Sequence, residues 1–249
     1  MDIFTITPFN PLWFLLMAGV AVMSWLLWLI FRKRAERVRR GLVIGICALV
    51  MVLYLLEKYW LSLDAEYLLT QSGGRFNVLD ELPLHLCNVN MLIIPFALLL
   101  KRRMLLVFCC LSAPLGAFMA LASPIAVFSE SSILLPRNIG YYSSHSLLIV
   151  AGVSLFTLRL CRPKFRDLPL AIGIMLIMLV AAHLINTAFR LGGISSGTNY
   201  FFTYGPDGIA VLEILWRLIP IPLVYELPLL PVAVAYGLLV TTLIKILHR

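Results

Sequence analysis

Seven long apolar runs constrain this chain more than any other feature of its sequence. They lie at about 12–31, 41–61, 82–100, 104–122, 140–160, 168–190 and 226–247. A helix needs roughly 20 apolar residues to cross about 30 Å of hydrocarbon. Among structures that span lipid, a helix satisfies all of its backbone hydrogen bonds within one segment. The runs therefore predict an all-α, polytopic membrane bundle with seven transmembrane helices.

The composition agrees with lipid as the main solvent of the chain. Of its 249 residues, 61% are hydrophobic and only 13% are charged, whereas soluble domains carry about 25% charged residues. The apolar runs occupy most of the length, so the sequence predicts a single integral membrane domain over residues 1–249. The first run lacks the basic stretch that precedes a cleaved signal peptide, and we expect it to be a retained helix.

Lysine and arginine are distributed unevenly among the connections between the runs. Of the 20 Lys and Arg residues, 15 follow the first, third, fifth and seventh runs, at 32–40, 101–103, 159–167, Lys245 and Arg249. Cytoplasmic loops of membrane proteins carry this excess. The pattern predicts an N-terminus outside and a C-terminus inside the cell. Topology and contact with anionic lipid headgroups account for the net charge of +8, so no nucleic-acid partner is predicted.

Polar and ionisable residues inside a span are costly, and here they gather near the outer ends of the predicted helices. They come from the start of the third run, the start of the fifth and the end of the sixth, with Glu57 and Lys58 near the outer end of the second. The first three groups include Glu81, His85, Cys87 and Asn88; Ser143, Ser144 and His145; His183, Asn186 and Arg190. This depth is where we expect the functional site.

Spacing within the third run suggests how these side chains are arranged. Glu81, His85 and Asn88 are spaced i, i+4, i+7, which predicts one face of a helix. Cys87 lies two residues after His85, about 200° around a helix at 100° per residue. A thiol nucleophile at Cys87 would then need a base from another helix.

The sixth run repeats that spacing. His183, Asn186 and Arg190 are spaced i, i+3, i+7 and also predict one helix face. Two such faces directed into the bundle would line a polar pocket at its outer side. Arg190 suits a lipid phosphate, which a guanidinium binds through two hydrogen bonds. Extension of its side chain towards the headgroups is the alternative.

Three interpretations of the histidines remain open at this stage. One histidine acts as a general base or acid on a lipid ester, because imidazole titrates near neutral pH. The three histidines bind Zn²⁺ with an open position. They are hydrogen-bonded packing residues between helices. Neither the H-x-x-x-H nor the H-E-x-x-H spacing is present, so neither a metal nor another cofactor is predicted.

The longest outer connection runs at about 191–225. It contains the Gly- and Ser-rich stretch GGISSGTNYFFTYGPDG, with Asn199 and Tyr200 at its centre. Loops of this composition often carry function on a rigid scaffold. The apolar segment that follows is interrupted by Pro220 and Pro222, which predicts a re-entrant or interfacial helix rather than a span.

These motifs resemble a known family. The stretch ELPLHLCNVNMLIIPFALLL at 81–100 is similar to the signature span of the bacterial YwaF-like integral membrane family. The Ser144-His145 and Asn199-Tyr200 pairs are similar to that family in order and spacing. The family in turn looks distantly related to the animal transmembrane protein 164 acyltransferases, which move a polyunsaturated acyl chain between phospholipids. The resemblance implies a multi-pass protein of the bacterial cytoplasmic membrane.

The resemblance also implies site residues. The animal enzymes are thought to use a Cys nucleophile with a His, which here would be Cys87 with His85 and His145. The animal motif places the Cys directly before the His, where this chain has Leu84. A histidine-centred transfer, or one assisted by Ser143 or Ser144, therefore stays open.

The sequence as a whole favours a lipid-modifying enzyme of the outer leaflet, an acyltransferase or a hydrolase, with membrane phospholipid as its partner. His85, His145 and Cys87 are the predicted catalytic residues. The predicted substrate-binding residues are Glu81, Asn88, His183, Asn186, Arg190, Asn199 and Tyr200. The alternative is a non-catalytic binder or transporter of a small polar or lipid-like ligand.

Overall fold

The computed structural model describes residues 3–70 and 74–247 and is built from helices. The α-helices are α1 (Pro11–Phe31), α2 (Glu36–Leu63), α3 (Ala65–Thr70), α4 (Leu86–Leu99), α5 (Arg103–Ala122), α6 (Pro136–Thr157), α7 (Leu168–Leu191), α8 (Ala210–Leu218) and α9 (Leu229–Leu247). Two short antiparallel strands, β1 (Thr5–Ile6) and β2 (Ser131–Ser132), pair Thr5 with Ser132. Turns of 3-10 helix lie at Ala126–Phe128, Phe165–Asp167, Tyr200–Phe202 and Val224–Glu226.

Six helical stretches are long and apolar enough to cross a membrane. They are α1, α2, α5, α6, Phe165–Leu191 and Val224–Ile246, and the predicted all-helical membrane fold is confirmed. The predicted run at 82–100 differs, because its helix α4 has only 14 residues and begins at Leu86. The count of seven spans and the orientation stay predictions. Arg249, one of the inner charges, lies outside the described residues.

The chain divides into two compact units. Unit 1 comprises Met1–Phe76 and Leu86–Arg162, and unit 2 comprises Asn77–His85 and Pro163–Arg249. The boundary between His85 and Leu86 therefore falls inside the LPLHLC motif. The single membrane domain over residues 1–249 stays a prediction.

Helix α6 is the centre of unit 1. It packs against α1, α2, α4 and α5, and most of its side chains are buried. Two glycines permit this close packing, because a Cβ at Gly152 would lie 2.6 Å from the ring of Pro114 and one at Gly140 would lie 2.7 Å from Cβ of Glu57. Real Cβ contacts are not that short, so α6 approaches both neighbours at positions that lack a side chain.

The first residues of unit 1 are joined to the connection before α6. Asn138, fully buried, donates from Nδ2 to the Ser131 hydroxyl and the Ser132 carbonyl, both at 2.8 Å. The Trp13 indole donates to the Leu121 carbonyl at 2.7 Å. These bonds fix the ends of α1, α5 and α6 relative to one another.

An ion pair closes the C-terminal end of α2. The buried guanidinium of Arg137 contacts the carboxylates of Asp64 and Glu66. Partial burial alone would raise the pKa of Asp64, but a hydrogen bond from the Tyr67 N–H and the Arg137 charge outweigh that effect. The pKa of Asp64 therefore lies below its usual value.

Unit 2 is built on α7 and α9, which pack against each other, with α8 against the turn at Val224–Glu226. Between α7 and α8 the chain folds back so that the turn at Tyr200–Phe202 contacts α7. Large apolar side chains of α7 and α9, such as Ile177, Leu184 and Leu239, are exposed. A helix that faces lipid requires this distribution.

Candidate functional site

The structure distributes the predicted site residues over two polar clusters, one in each unit. The unit 1 cluster contains Cys87, Asn88 and His145 together with Glu57, Lys58 and Tyr141. The unit 2 cluster contains His85, His183, Asn186, Arg190, Asn199, Tyr200 and Tyr204.

Cys87 lies in the first turn of α4. Its thiol is half-buried and contacts Oδ1 of Asn88 at 3.6 Å, and the N–H groups of Cys87 and Asn88 lie within hydrogen-bond range of Sγ. Gly116 of α5 packs against this turn, where a Cβ would lie 3.4 Å from the Cys87 nitrogen. The other four cysteines are buried, so Cys87 is the most accessible thiol.

His145 is buried on α6, and its tautomer follows from its hydrogen bond. Nδ1 lies 2.8 Å from the carbonyl oxygen of Tyr141, one helical turn earlier. A carbonyl oxygen only accepts, so Nδ1 carries the proton and Nε2 keeps its lone pair. The Ser144 hydroxyl donates to the same carbonyl at 3.0 Å. His145 is thus oriented as a neutral base with Nε2 as the basic atom.

Tyr141 joins the parts of the unit 1 cluster. Its hydroxyl donates to the Ala120 carbonyl at 2.7 Å, and its ring stacks on Phe128 with centroids 4.1 Å apart. The same ring contacts the imidazole of His145, with centroids 4.4 Å apart. Its phenol is also close enough to Cys87 for an electrostatic interaction. Tyr141 therefore lies beside both the thiol and the imidazole.

Glu57 and Lys58 of α2 bring charge to this cluster. Lys58 Nζ lies 2.8 Å from Oε1 of Glu57 and 5.0 Å from the ring of Tyr54. Glu57 is buried against α6 at Gly140. The Lys58 charge interacts with Cys87 and with His145, and the Glu57 charge interacts with Cys87. An ion pair thus faces the thiol inside unit 1.

In unit 2, Asn186 holds the loop that follows α7. The side chain is fully buried, and Nδ2 donates to the Tyr200 carbonyl and to the Thr203 hydroxyl, both at 2.9 Å. Its Oδ1 accepts from the Tyr200 N–H at 3.0 Å. Phe201 and Phe202 in this turn have positive φ, a conformation that costs roughly 1–2 kcal/mol per non-glycine residue. The amide of Asn186 helps the turn to hold it.

Tyr204 is enclosed by three side chains of α7. His183 stacks on its ring at 5.0 Å, and the Arg190 guanidinium lies 4.4 Å from the ring centroid. These two residues are seven positions apart, about 10 Å along a helix, so the ring lies between them. The Thr187 hydroxyl donates to the His183 carbonyl at 2.7 Å and therefore accepts from the Tyr204 hydroxyl at 2.8 Å.

Two further groups stabilise the same loop. Arg190 Nη2 donates to the Thr198 carbonyl at 2.9 Å. Asn199 donates to the Gly205 carbonyl at 2.9 Å and accepts from the Tyr204 N–H at 2.8 Å. Asp207 follows at positive φ. Burial raises its pKa above the usual value although Asn199 and Arg190 oppose that shift.

His85 lies in the extended segment Asn77–His85, which packs on this loop. Its ring contacts Tyr200 at 5.9 Å and Phe202 at 4.9 Å. The Tyr200 hydroxyl donates to the Leu79 carbonyl, and burial, with the charges of Asp80 and Glu81, raises the pKa of Tyr200 to about 12. The Ser195 hydroxyl donates to Asp80.

The helix face predicted from Glu81, His85 and Asn88 is wrong. Helix α4 begins at Leu86, so Glu81 and His85 precede it and only Asn88 lies on it. Pro83 explains the difference, because proline lacks an N–H and disfavours helical backbone at the residue before it. On α7, by contrast, His183, Asn186 and Arg190 all lie on the helix and all contact the loop 198–204.

Sequence reasoning named several contributing residues without a role and missed others. Tyr141 had a detectable signal, because a side chain in a helix can reach the carbonyl four residues earlier. Tyr204 and Asp80 had none, since their partners on α7 and in the loop are distant in sequence. Asn90 is buried and bonds to Ser112 at 2.9 Å, which makes it a packing residue.

The zinc interpretation has no geometric support in the part of the chain that the structure describes. Across residues 3–70 and 74–247, no three His, Cys, Asp or Glu side chains are grouped so that they could hold a metal ion. The two clusters are instead built from hydrogen bonds, ring contacts and the Glu57–Lys58 pair.

The fold and its clusters define a multi-pass helical membrane protein with buried polar groups. The model of the TMEM164 family matches residues 5–243, so the chain belongs to the TMEM164 family. This agrees with the resemblance to transmembrane protein 164. No curated protein and no solved structure matches the chain.

Proposed function

We propose that this protein transfers acyl chains between membrane phospholipids through Cys87. The observation that carries the proposal is the common neighbour of two reactive groups in unit 1. Tyr141 orients His145 through its carbonyl and lies beside Cys87 through its phenol. Membership of the TMEM164 family supports the same chemistry. A thiol nucleophile needs a base within its own site, and His145 offers a free Nε2.

In the first half-reaction, His145 Nε2 takes the proton of the Cys87 thiol. The thiolate attacks the ester carbonyl of the donor lipid and forms a tetrahedral intermediate. The carbon–oxygen bond then breaks, and the leaving lysophospholipid oxygen takes the proton from His145. The acyl chain remains on Cys87 as a thioester.

In the second half-reaction, the hydroxyl of an acceptor lysophospholipid gives its proton to Nε2 and attacks the thioester carbonyl. The carbon–sulfur bond breaks, and the Cys87 thiolate regains the proton from His145. Water in place of the acceptor would make the reaction a hydrolysis. Asn88 suits the oxyanion, because its Oδ1 faces Sγ and its amide N–H groups remain donors.

We assign the phospholipid headgroup to unit 2. Arg190 supports this, because it uses Nη2 on Thr198 while its buried Nε has no partner among the described residues. A guanidinium with a donor to spare binds phosphate well. His183, Asn186, Asn199 and Tyr200 support the headgroup region by holding the loop. Glu81 and His85 stay predictions for substrate contact and catalysis.

The finer statements about family and location are also proposals. The LPLHLC motif supports a YwaF-like branch of the family, in a bacterial cytoplasmic membrane. Seven spans with the N-terminus outside are supported by the Lys/Arg distribution. On this topology the start of α4 and both clusters face the outer leaflet.

The decisive experiment measures acyl transfer by the purified protein in nanodiscs. A phosphatidylcholine donor with an isotope-labelled acyl chain and a lysophospholipid acceptor are supplied, and labelled product is quantified by mass spectrometry. We expect Cys87→Ala and His145→Ala each to lower the rate at least a hundredfold. Cys47→Ala, which removes a buried thiol of the same unit, should leave most activity.

The thioester gives an independent readout. Parent protein incubated with donor alone should carry the acyl mass on the Cys87 peptide, and hydroxylamine should remove it. Unchanged transfer in Cys87→Ala would exclude the thiol mechanism. A ligand-dependent thermal shift with no lipid turnover in any preparation would favour the binder or transporter instead.

A further inference from the structure

The Glu57–Lys58 pair is a charged group that the acyl transfer above leaves without a role. Glu57 is almost fully buried, and Lys58 Nζ lies 2.8 Å from its Oε1. Burying two charges in an apolar bundle costs several kcal/mol per ion before their attraction is counted. A pair kept at that cost beside a reactive thiol calls for a functional explanation.

Helix packing fixes the position of this pair. Gly140 lets the α6 backbone approach Glu57 so closely that a Cβ there would lie 2.7 Å from Cβ and 3.0 Å from Cα of Glu57. Gly140 directly precedes Tyr141, the residue that lies beside both Cys87 and His145. The contact between α2 and α6 therefore sets the pair against the rest of the unit 1 cluster.

The charges that reach Cys87 come from two helices. Glu57 and Lys58 lie on α2, whereas α6 contributes the neutral Tyr141 and His145. From α5 the nearest group is the backbone at Gly116. Lys58 is accordingly the cation, and Glu57 the anion, with which the sulfur interacts.

We propose that Lys58 is a positioning residue whose ammonium stabilises the Cys87 thiolate, while its partner Glu57 limits that stabilisation. A cation close to sulfur favours the thiolate over the thiol, and an anion disfavours it. Loss of Lys58 and loss of Glu57 should thus change the reactivity of Cys87 in opposite directions. A purely structural pair would be weakened in the same way by either loss.

The inference rests on the proposed thiol chemistry, but its test needs no lipid substrate. Full-length protein in nanodiscs is treated with iodoacetamide, and alkylation of the Cys87 peptide is timed by mass spectrometry from about pH 7 to about pH 10. At about pH 8 we expect Lys58→Gln to slow alkylation about tenfold, with recovery near pH 10. Glu57→Gln should accelerate it at about pH 8 by roughly threefold or more.

Three variants guard the interpretation. Lys58→Arg keeps the charge and should react within about threefold of the parent. Lys101→Gln removes an exposed lysine after the other end of α4 and should leave the profile unchanged. If either single variant fails to fold, Glu57→Gln combined with Lys58→Gln removes the whole pair and should react at a rate between those expected for the single variants.

The outcomes separate this inference from the proposed function. An unchanged profile in Lys58→Gln, or a change of the same sign in Lys58→Gln and Glu57→Gln, overturns the role of Lys58 even if acyl transfer is observed. Opposite signs support it even if no acyl transfer is found, in which case only the proposed reaction fails.

Discussion

Asn186 makes every hydrogen bond of its side chain to one short stretch of backbone and hydroxyl. Both amide hydrogens and the carbonyl oxygen are used, on Tyr200 and Thr203. No other residue type matches this pattern, since Asp lacks the donors and Leu lacks all three bonds. The residue predicted to bind substrate thus also determines the shape of the loop that carries Tyr200 and Tyr204.

We predict that Asn186→Ala lowers the free energy of unfolding by about 3 kcal/mol, because it leaves the buried N–H and carbonyl of Tyr200 without partners. Thermal unfolding in detergent micelles measures the loss, and limited proteolysis should begin within 195–205. Asn77→Ala is the matched control, since Asn77 is only half-buried and its Oδ1 accepts one bond at 3.1 Å. Equal unfolding temperatures for Asn186→Ala and Asn77→Ala would contradict this account.

Single residues show where sequence reasoning succeeded and where it could not. The types of residue at the outer ends were correctly singled out as unusual, since a buried amide or imidazole in an apolar run needs partners. Their partners were not predictable, because His145 meets a carbonyl of its own helix whereas Asn186 meets a loop 14 residues away. Only the fold decides which polar pairs form.

At the scale of elements, the contact between α2 and α6 is the one that positions the unit 1 cluster. It depends on Gly140, where the two backbones approach most closely. Glycine inside a helix costs about 1 kcal/mol relative to alanine, and here that cost permits an approach that no side chain would allow. Gly45 of α2 has open space around it, with no atom within 4 Å of a built Cβ.

Gly140→Ala and Gly45→Ala form a matched pair with opposite expected signs. Gly140→Ala should destabilise the protein by roughly 1–3 kcal/mol, because the new methyl group forces α2 away from α6. Gly45→Ala should stabilise it by up to about 1 kcal/mol through helix propensity. Thermal unfolding compares the two, and acyl transfer should fall only in Gly140→Ala. Stabilisation by Gly140→Ala would show that the helices separate without cost.

Helix boundaries followed from the sequence except where proline acted. The predicted runs at 12–31, 104–122 and 168–190 match α1, α5 and α7 to within a few residues. The run at 82–100 lost its first turn to Pro83, and with it the predicted face that joined Glu81 to Asn88. Hydrophobic periodicity reports where a helix is stable, whereas a single proline decides where it begins.

At the scale of the whole molecule, α4 decides the topology. Its 14 residues cover about 21 Å at 1.5 Å per residue, which is short of the roughly 30 Å of hydrocarbon. The extended residues 82–85 that precede it add about 3.3 Å each, and together they are long enough to cross. If α4 crosses, the chain has seven spans and its termini lie on opposite sides; if it does not, six spans return both termini to one side.

We predict that α4 crosses, because Lys101, Arg102 and Arg103 follow it and the Lys/Arg excess belongs inside. Green fluorescent protein fused after residue 249 should fluoresce, whereas an epitope tag before residue 1 should be cleaved by protease added outside intact cells. A reporter inserted beside Lys101 separates the alternatives most directly, since it is inside with seven spans. Replacing Lys101, Arg102 and Arg103 by Gln should make its orientation mixed, while the same change at Arg75, Arg137 and Arg217 should not. Termini on one side, with the Lys101 reporter outside, would show that α4 is a re-entrant helix and that only six helices span.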